Sequence, residues 1–323
     1  MVLDIDDYWL PSKSHPAHNL VVHQNMHRKI VDNLKLTDYI TTTTSIFANE
    51  ISKINKNVVI LPNAIDVSEE QFKPKPEENK YGKLRIGILC GSSHLKDLEL
   101  LTNLTNRLES DGLLSKAQFV LCGFDLRGTT KFLDPITKQV KERPITPQES
   151  VWYECEKILT NNYKYVTPEH KEFLLKFDNT LEANFGDCYR RIWTKSVQKY
   201  ATGYNAFDVL LAPLEENLFN KCKSQLKVIE AGFYKKAIVA SKIGPYTIDL
   251  KHCLDKGQFI NGNAMLVDEF DNVHGWAKYL EKLIKNPNLV KDMGERLYET
   301  VKDSYDLNTV TKNRAEFYKS LIK

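Results

Sequence analysis

Five continuous apolar runs constrain this chain most: LRIGILCG, AQFVLCG, FDVLLAP, KAIVAS and NAMLV, all between residues 84 and 267. Each is short and rich in Val, Ile, Leu or Ala, and none alternates with polar residues. A run of this kind is a strand buried on both faces, and helix-like stretches fall between the runs. The pattern predicts an α/β fold built on a doubly wound parallel sheet.

The chain has 323 residues, which at roughly 150 per domain suggests about two domains. A shorter α/β stretch comes first. LDID reads as a strand end, residues 24–36 as a helix, YITTTT as a strand, 45–54 as a helix and NVVILP as a strand. Residues 67–83 (VSEEQFKPKPEENKYGK) combine prolines and charge with little apolar content, the signature of a surface connection. The expected division is therefore 1–66, a shortened first unit; 67–83, a linker; 84–304, the larger unit; and 305–323, a C-terminal helix free to return to the first unit. In the larger unit we expect one helix over 97–109, an elaboration of loops and helices over 125–190, and helices near 192–203, 221–233 and 272–285, followed by a helical tail.

Charge and composition narrow the function. Lys and Arg number 45 against 42 Asp and Glu, a net +3, with 42% hydrophobic residues. That excludes wholesale disorder and argues against an electrostatic nucleic-acid binder. The start MVLDIDDYW has no basic n-region of a secretory signal, and no apolar run approaches the roughly 18 residues of a membrane span. Peripheral contact with a membrane stays open. The six cysteines show no CxxC and read as reduced thiols of a cytoplasmic protein.

Three constellations carry the candidate chemistry. In APLEENLFNKCKSQLKVIEAGF a strand end leads through a polar loop into a helix expected to open near Lys221, with Lys223 and Ser224 in its first turn and Glu230 two turns on. Helix N-terminal N–H groups and an ammonium suit a diphosphate, and a carboxylate suits a ribose diol. In GSSHLKDL, Gly91, Ser92 and Ser93 permit close backbone approach, His94 and Lys96 add donors or charge, and Asp97 is an expected N-cap. DIDD places Asp4, Asp6 and Asp7 at a strand end, a pattern that resembles a metal-diphosphate DxD pair. Three acids in four residues are, however, a common composition of a solvated surface, the reading we favour over a metal pair. His15, His18, His23 and His27 lack the thiolate or carboxylate that completes a zinc tetrahedron. Neither GxGxxG nor a Walker loop, GxSxG, HExxH or Cys-His signature is present.

The order of NVVILPNAID, the linker, RIGILCGSSHLKDLELL, DVLLAPLEENLFNKCKSQLKVIEAGFYKKAIVASKIGPY, GNAMLV and a helical tail resembles the C-terminal two-thirds of a B-fold glycosyltransferase of family 4. The resemblance implies two facing Rossmann-like domains, and most of the first would precede residue 1, supplied by a missing half or a partner. It implies transfer of a hexose from a nucleoside-diphosphate sugar to a glycan or similar acceptor, with retention of configuration and no cofactor or bound metal. By this resemblance Glu230 matches the second glutamate of an E-x7-E motif and holds the ribose, whereas the first falls at Cys222. The chain looks instead like a subgroup written FNxxKSxxKxxE, here Phe219, Asn220, Lys223, Ser224, Lys227 and Glu230, which gives sugar contacts to Asn220. Lys96, Lys223 and His94 become the catalytic candidates; Gly91, Ser92, Ser93, Asn220, Ser224, Lys227 and Glu230 the donor-binding ones; and Asp4, Asp6 and Asp7 the acceptor side. Two other readings compete: a nucleotide-sugar-binding module without catalysis, and a metal-using transferase centred on Asp4 and Asp6.

Overall fold

The five apolar runs all become parallel strands. The structure, a computed structural model, describes residues 1–125, 128–146, 149–160, 188–268 and 271–322. The chain opens with β1 (Val2–Asp4), α1 (His18–His23), α2 (Met26–Leu36), β2 (Tyr39–Thr42), α3 (Ser45–Ile51) and β3 (Val58–Ile60). These strands pair in parallel in the order β1-β2-β3. Leu34, Ile40, Phe47 and Ile51 form the core of this small sheet, completed by Cys222 from much later in the chain. Thr44 caps α3 by accepting from the Phe47 N–H at 3.2 Å.

After the 67–83 connection come β4 (Leu84–Leu89), α4 (Leu95–Leu98), α5 (Leu104–Ser110), β5 (Ala117–Phe124), the hairpin β6 (Thr129–Leu133) and β7 (Val140–Pro144), α6 (Val151–Leu159) and β8 (Tyr189–Trp193). The second half adds β9 (Val209–Ala212), α7 (Leu218–Lys221), α8 (Leu226–Phe233), β10 (Ala237–Ser241), α9 (Tyr246–Asp249), the short pair β11 (Leu254–Asp255) and β12 (Gln258–Phe259), β13 (Met265–Val267), α10 (Asn272–Lys285), α11 (Pro287–Val301) and α12 (Leu307–Ser320). The larger sheet has the order β13-β10-β9-β4-β5-β8, with every neighbour parallel. The chain winds outward from β4 to β8, returns past β4 to β9, and winds outward again. At that reversal the loops after β4 and β9 leave the sheet in opposite directions and open a crevice at the carboxyl ends, the ordinary ligand position in such sheets.

Alternate strand residues feed two buried layers, one containing Ile86, Phe119 and Val209, the other Val120, Leu210 and Ile238. Gly87 permits this packing because a Cβ there would lie 2.1 Å from the Phe207 ring. All six cysteines are free thiols. Among the described residues no helix is long and apolar enough to cross a membrane.

Four expectations need correction. The helix expected over 97–109 is broken into α4 and α5, because Asn103 takes a left-handed backbone (φ 68°) that an asparagine tolerates. The helix expected near 192–203 is absent: Tyr189–Trp193 is the edge strand β8, and Tyr200–Ala206 is a 3-10 stretch. The helix expected to open near Lys221 is two helices, with α7 ending there and α8 beginning at Leu226. Where described, the 125–190 region holds a hairpin, a helix and the start of β8, rather than loops and helices alone; the rest of that region lies outside the described residues.

The last helix packs against the small sheet. Arg314 Nη1 lies 3.7 Å from Asp4, and the Phe317 ring meets Tyr39 edge-on at 6.0 Å. Asp306 starts α12 by accepting from the Asn308 and Thr309 N–H groups at 2.9 and 3.2 Å. Asp306→Ala removes this cap, and we expect a loss of about 1 kcal/mol in a urea titration; an unchanged midpoint would show that the flanking backbone bonds alone hold the helix start.

Candidate functional site

The loops after β4 and β9 are bolted together across the crevice by Asp97. Its carboxylate accepts from the Glu215 N–H at 2.8 Å, from Asn220 Nδ2 at 3.1 Å and from His94 Nδ1 at 2.7 Å. Asp97 is therefore no N-cap. Burial works against its charge, but the bonds from His94 and Glu215 outweigh burial and hold the carboxyl below the usual range. Asn220 donates again to the Glu215 carbonyl at 2.9 Å, so both its amide hydrogens serve the loop and not a ligand. Asn217 caps α7 through the Asn220 N–H at 2.8 Å.

His94 is brought down to about 4, first by the nearby Lys227 ammonium and then by burial. At neutral pH it is an uncharged imidazole. With Nδ1–H donating to the ionised Asp97, Nε2 keeps its lone pair and can accept a hydrogen bond. Its unfolded value is near 6.5, so between that pH and about 4 the unfolded chain binds the extra proton. The stabilisation is full above 6.5 and falls as pH drops through this window, in the same direction as that of the depressed Asp97. Urea titrations at pH 7, 6 and 5 should show this decline and its reduction in His94→Gln; the same slope in both proteins would remove the assignment.

Lys223 and Lys227 stand in and just after the turn ahead of α8, whose N-cap is Gln225. Both are half-buried, and among the described residues neither makes a hydrogen bond or an ion pair with a carboxylate; Lys223 lies 5.1 Å over the Phe219 ring. Burial lowers the Lys223 ammonium, with Asp97 and Asp7 pulling it up and Lys227 pushing it further down. Ser224 is beside them in the same turn. The result is a desolvated cationic corner at the crevice, facing a helix N-terminus.

The small sheet supplies the opposite wall. Asp7 is raised by crowding at the crevice and by Asp6, against the pull of Lys223 and His15. His15 packs its ring 5.2 Å from Phe219, and Ser14 Oγ donates to Glu215 at 3.3 Å. A hollow of about 480 Å³ here is lined by Asp4, Asp6, Asp7, Tyr8, Trp9 and His15, among others. Asp4 itself is tied to Thr41 Oγ1 and Arg314. Among the described residues no three His, Cys, Asp or Glu side chains converge as a metal-ligand set.

Glu230 is 2% exposed and accepts from the hydroxyls of Tyr200 and, at 2.9 Å, Tyr204. Burial raises its carboxyl despite these bonds and Lys227. Tyr200 also lines a hollow of about 210 Å³ with Gly91, Gly123, Trp193 and Lys195, at the carboxyl ends of β4, β5 and β8.

The structure thus gathers His94, Lys223, Ser224, Lys227, Asn220 and Asp7 around one crevice. Gly91, Ser92 and Ser93 are exposed on its rim. Lys96 is not brought in: it is exposed and paired with Glu99 at 2.8 Å. Cys222, where the first glutamate of the motif would fall, turns into the small sheet's core. Sequence reasoning missed the linking role of Asp97 and the two tyrosines on Glu230; the YxxxY spacing of Tyr200 and Tyr204 was their only signal.

No family model and no curated protein sequence matches the chain. Solved structures do match. A sucrose-phosphate synthase from Thermosynechococcus elongatus superposes with a TM-score of 0.61 at 12% identity, over 99% of this chain and 67% of its own. A glycosyltransferase from Rickettsia africae gives 0.60 at 12% identity, over 100% and 70%. The Anabaena protein HepE, solved in complex with UDP and glucose, gives 0.60 at 12% identity, over 99% and 71%. The likeness establishes the fold, a Rossmann-like α/β architecture of the B-fold glycosyltransferase kind.

Proposed function

We propose that this chain is a glycosyltransferase of family 4 type that moves a hexose from a nucleoside-diphosphate sugar to a glycan or similar acceptor, retaining the anomeric configuration without a bound metal. The observation that carries this reading is the pair of half-buried ammonium groups, Lys223 and Lys227, without an ion pair among the described residues, at the topological reversal of the larger sheet. Two half-buried cations, one in the turn ahead of α8 and one in its first turn, suit a leaving diphosphate, because they stabilise charge that develops as the sugar bond breaks.

In this reading the nucleoside occupies the hollow beside Gly91, Gly123 and Tyr200, and Glu230 acts on the ribose through Tyr200. Neutral His94 accepts from a sugar hydroxyl through Nε2, and Asp97 fixes its tautomer. The acceptor lies against Asp7, Tyr8, Trp9 and His15, and its proton passes to the departing phosphate on the same face. The first unit is proposed to be the acceptor side of a larger domain.

A thermal-shift panel of UDP, GDP, ADP and their sugar conjugates, with and without EDTA, tests the donor site. Stabilisation by one nucleotide that persists in chelator is expected. Stabilisation that vanishes with EDTA would favour the metal-using alternative, and none at all would sink the donor site of this chain.

A further inference from the structure

We propose that a second hollow, at the amino-terminal end of the larger sheet and opposite the crevice, binds a small phosphate ester with an apolar body. It has a volume of about 630 Å³ and lies where the 67–83 connection passes the starts of β4, β5, β9 and β10, marked by Leu84, Lys116, Asp208 and Lys236. Its charge and its walls each select a feature of the ligand.

Charge selects the phosphate. Lys236 is 5% exposed, and among the described residues its ammonium has no hydrogen bond or ion pair. Burial pulls it down to about 8, helped by Arg85 and opposed by Asp208 and Glu77. Asp208 is the one carboxylate in the lining, and Arg85 already occupies it from Nη2 at 2.6 Å and Nε at 3.1 Å. Lys116 and Lys291 also line the hollow without an ion pair among the described residues, whereas Lys235 pairs with Glu295 at 2.9 Å. Pro287, the first residue of α11, brings a helix N-terminus to the same wall. Among the described residues, three ammonium groups without an ion pair against one neutralised carboxylate favour a dianion over a monoanion. A buried ammonium without a partner is costly to keep, and a bound anion offsets that cost.

The walls select the body. Leu84, Tyr234, Leu283 and Val290 form an apolar floor, with Pro74 and Tyr81 of the connection above it. A hollow of this size holds a ring or short aliphatic chain beside the phosphate. The site lies at the far end of the sheet from Lys223 and Lys227, so it serves a ligand other than the proposed donor.

The test is a calorimetric titration with 1-naphthyl phosphate, with uncharged 1-naphthol as control. We expect the phosphate to bind the wild type and the crevice variant Lys223→Met/Lys227→Met equally, to bind Lys236→Met at least tenfold more weakly, and to outbind 1-naphthol. Methionine keeps the length of the stem, so the packing is retained. Should that variant fail to fold, Lys116→Gln/Lys291→Gln on the surface is expected to weaken binding at least threefold. Absence of binding to the wild type, loss in the crevice variant alone, or unchanged affinity in both lysine variants of the hollow would overturn the proposal. Since these readouts use no donor sugar, failure of the transferase reading leaves them unaffected.

Discussion

Replacing Lys223 and Lys227 together by methionine is expected to cut sugar transfer by about two to three orders of magnitude while leaving the fold intact or slightly more stable. Removing charge that stabilises a developing anion in a water-poor site has an effect of that order. The stability prediction runs the other way for a physical reason. Each ammonium is half-buried and, among the described residues, without a carboxylate partner, and the Lys227 charge lowers both Lys223 and His94. Two methionines keep the aliphatic packing and remove the repulsion, so the thermal midpoint should hold or rise. Such a gain beside a loss of activity is the mark of residues kept for function. A variant that unfolds, or that keeps its activity, would return both lysines to an ordinary structural role.

The second large effect lies far from the crevice. Arg191 and Glu156 are paired at 2.6 Å at 1% and 2% side-chain exposure, Tyr189 donates to the same carboxylate at 2.8 Å, and the guanidinium lies 4.2 Å over the Phe124 ring. Glu156→Ala leaves a buried guanidinium without its counter-charge, and we expect a loss of about 3–5 kcal/mol in urea unfolding. The double replacement Glu156→Met/Arg191→Leu removes both charges and should cost far less than the single change. Equal losses in the two proteins would mean that the pair matters for its packing alone.

That ion pair also explains what the sequence concealed. LRIGILCG and KAIVAS were legible as strands because each holds an uninterrupted apolar stretch, Ile86–Leu89 and Ala237–Ala240, with its polar residues confined to the ends. YRRIW is equally buried, yet its arginines are neutralised by Glu77 and Glu156, residues distant in the chain, and no local pattern announces such partners. The breaks at Asn103 and between α7 and α8 stayed hidden for a related reason, since the apolar spacing continues across both and only the backbone turns. In the site, the lysines and the glycine rim were readable because a strand–loop–helix junction is a local signal. The contribution of Asp97 was not, because its partners Glu215 and Asn220 lie on the other side of the reversal. Lys96 looked right by position, but its side chain turns to Glu99 in the open.

Among the described residues, the two passages of the backbone between the sheets lie side by side. Ile65 leaves the small sheet, Asp306 returns to it, and the two run side by side: the Ile65 N–H donates to the Tyr305 carbonyl at 2.8 Å, and the Leu307 N–H to the Ile65 carbonyl at 3.0 Å. Adjacent crossings make a narrow backbone waist. Side chains add further ties across the crevice: Cys222 is buried in the small sheet's core, Ser14 donates to Glu215, and the His15 ring packs on Phe219. The spacing between Asp7 and Lys223 is thereby set from two sides, by the backbone bridge at Ile65 and Asp306 and by the side chains that meet across the crevice.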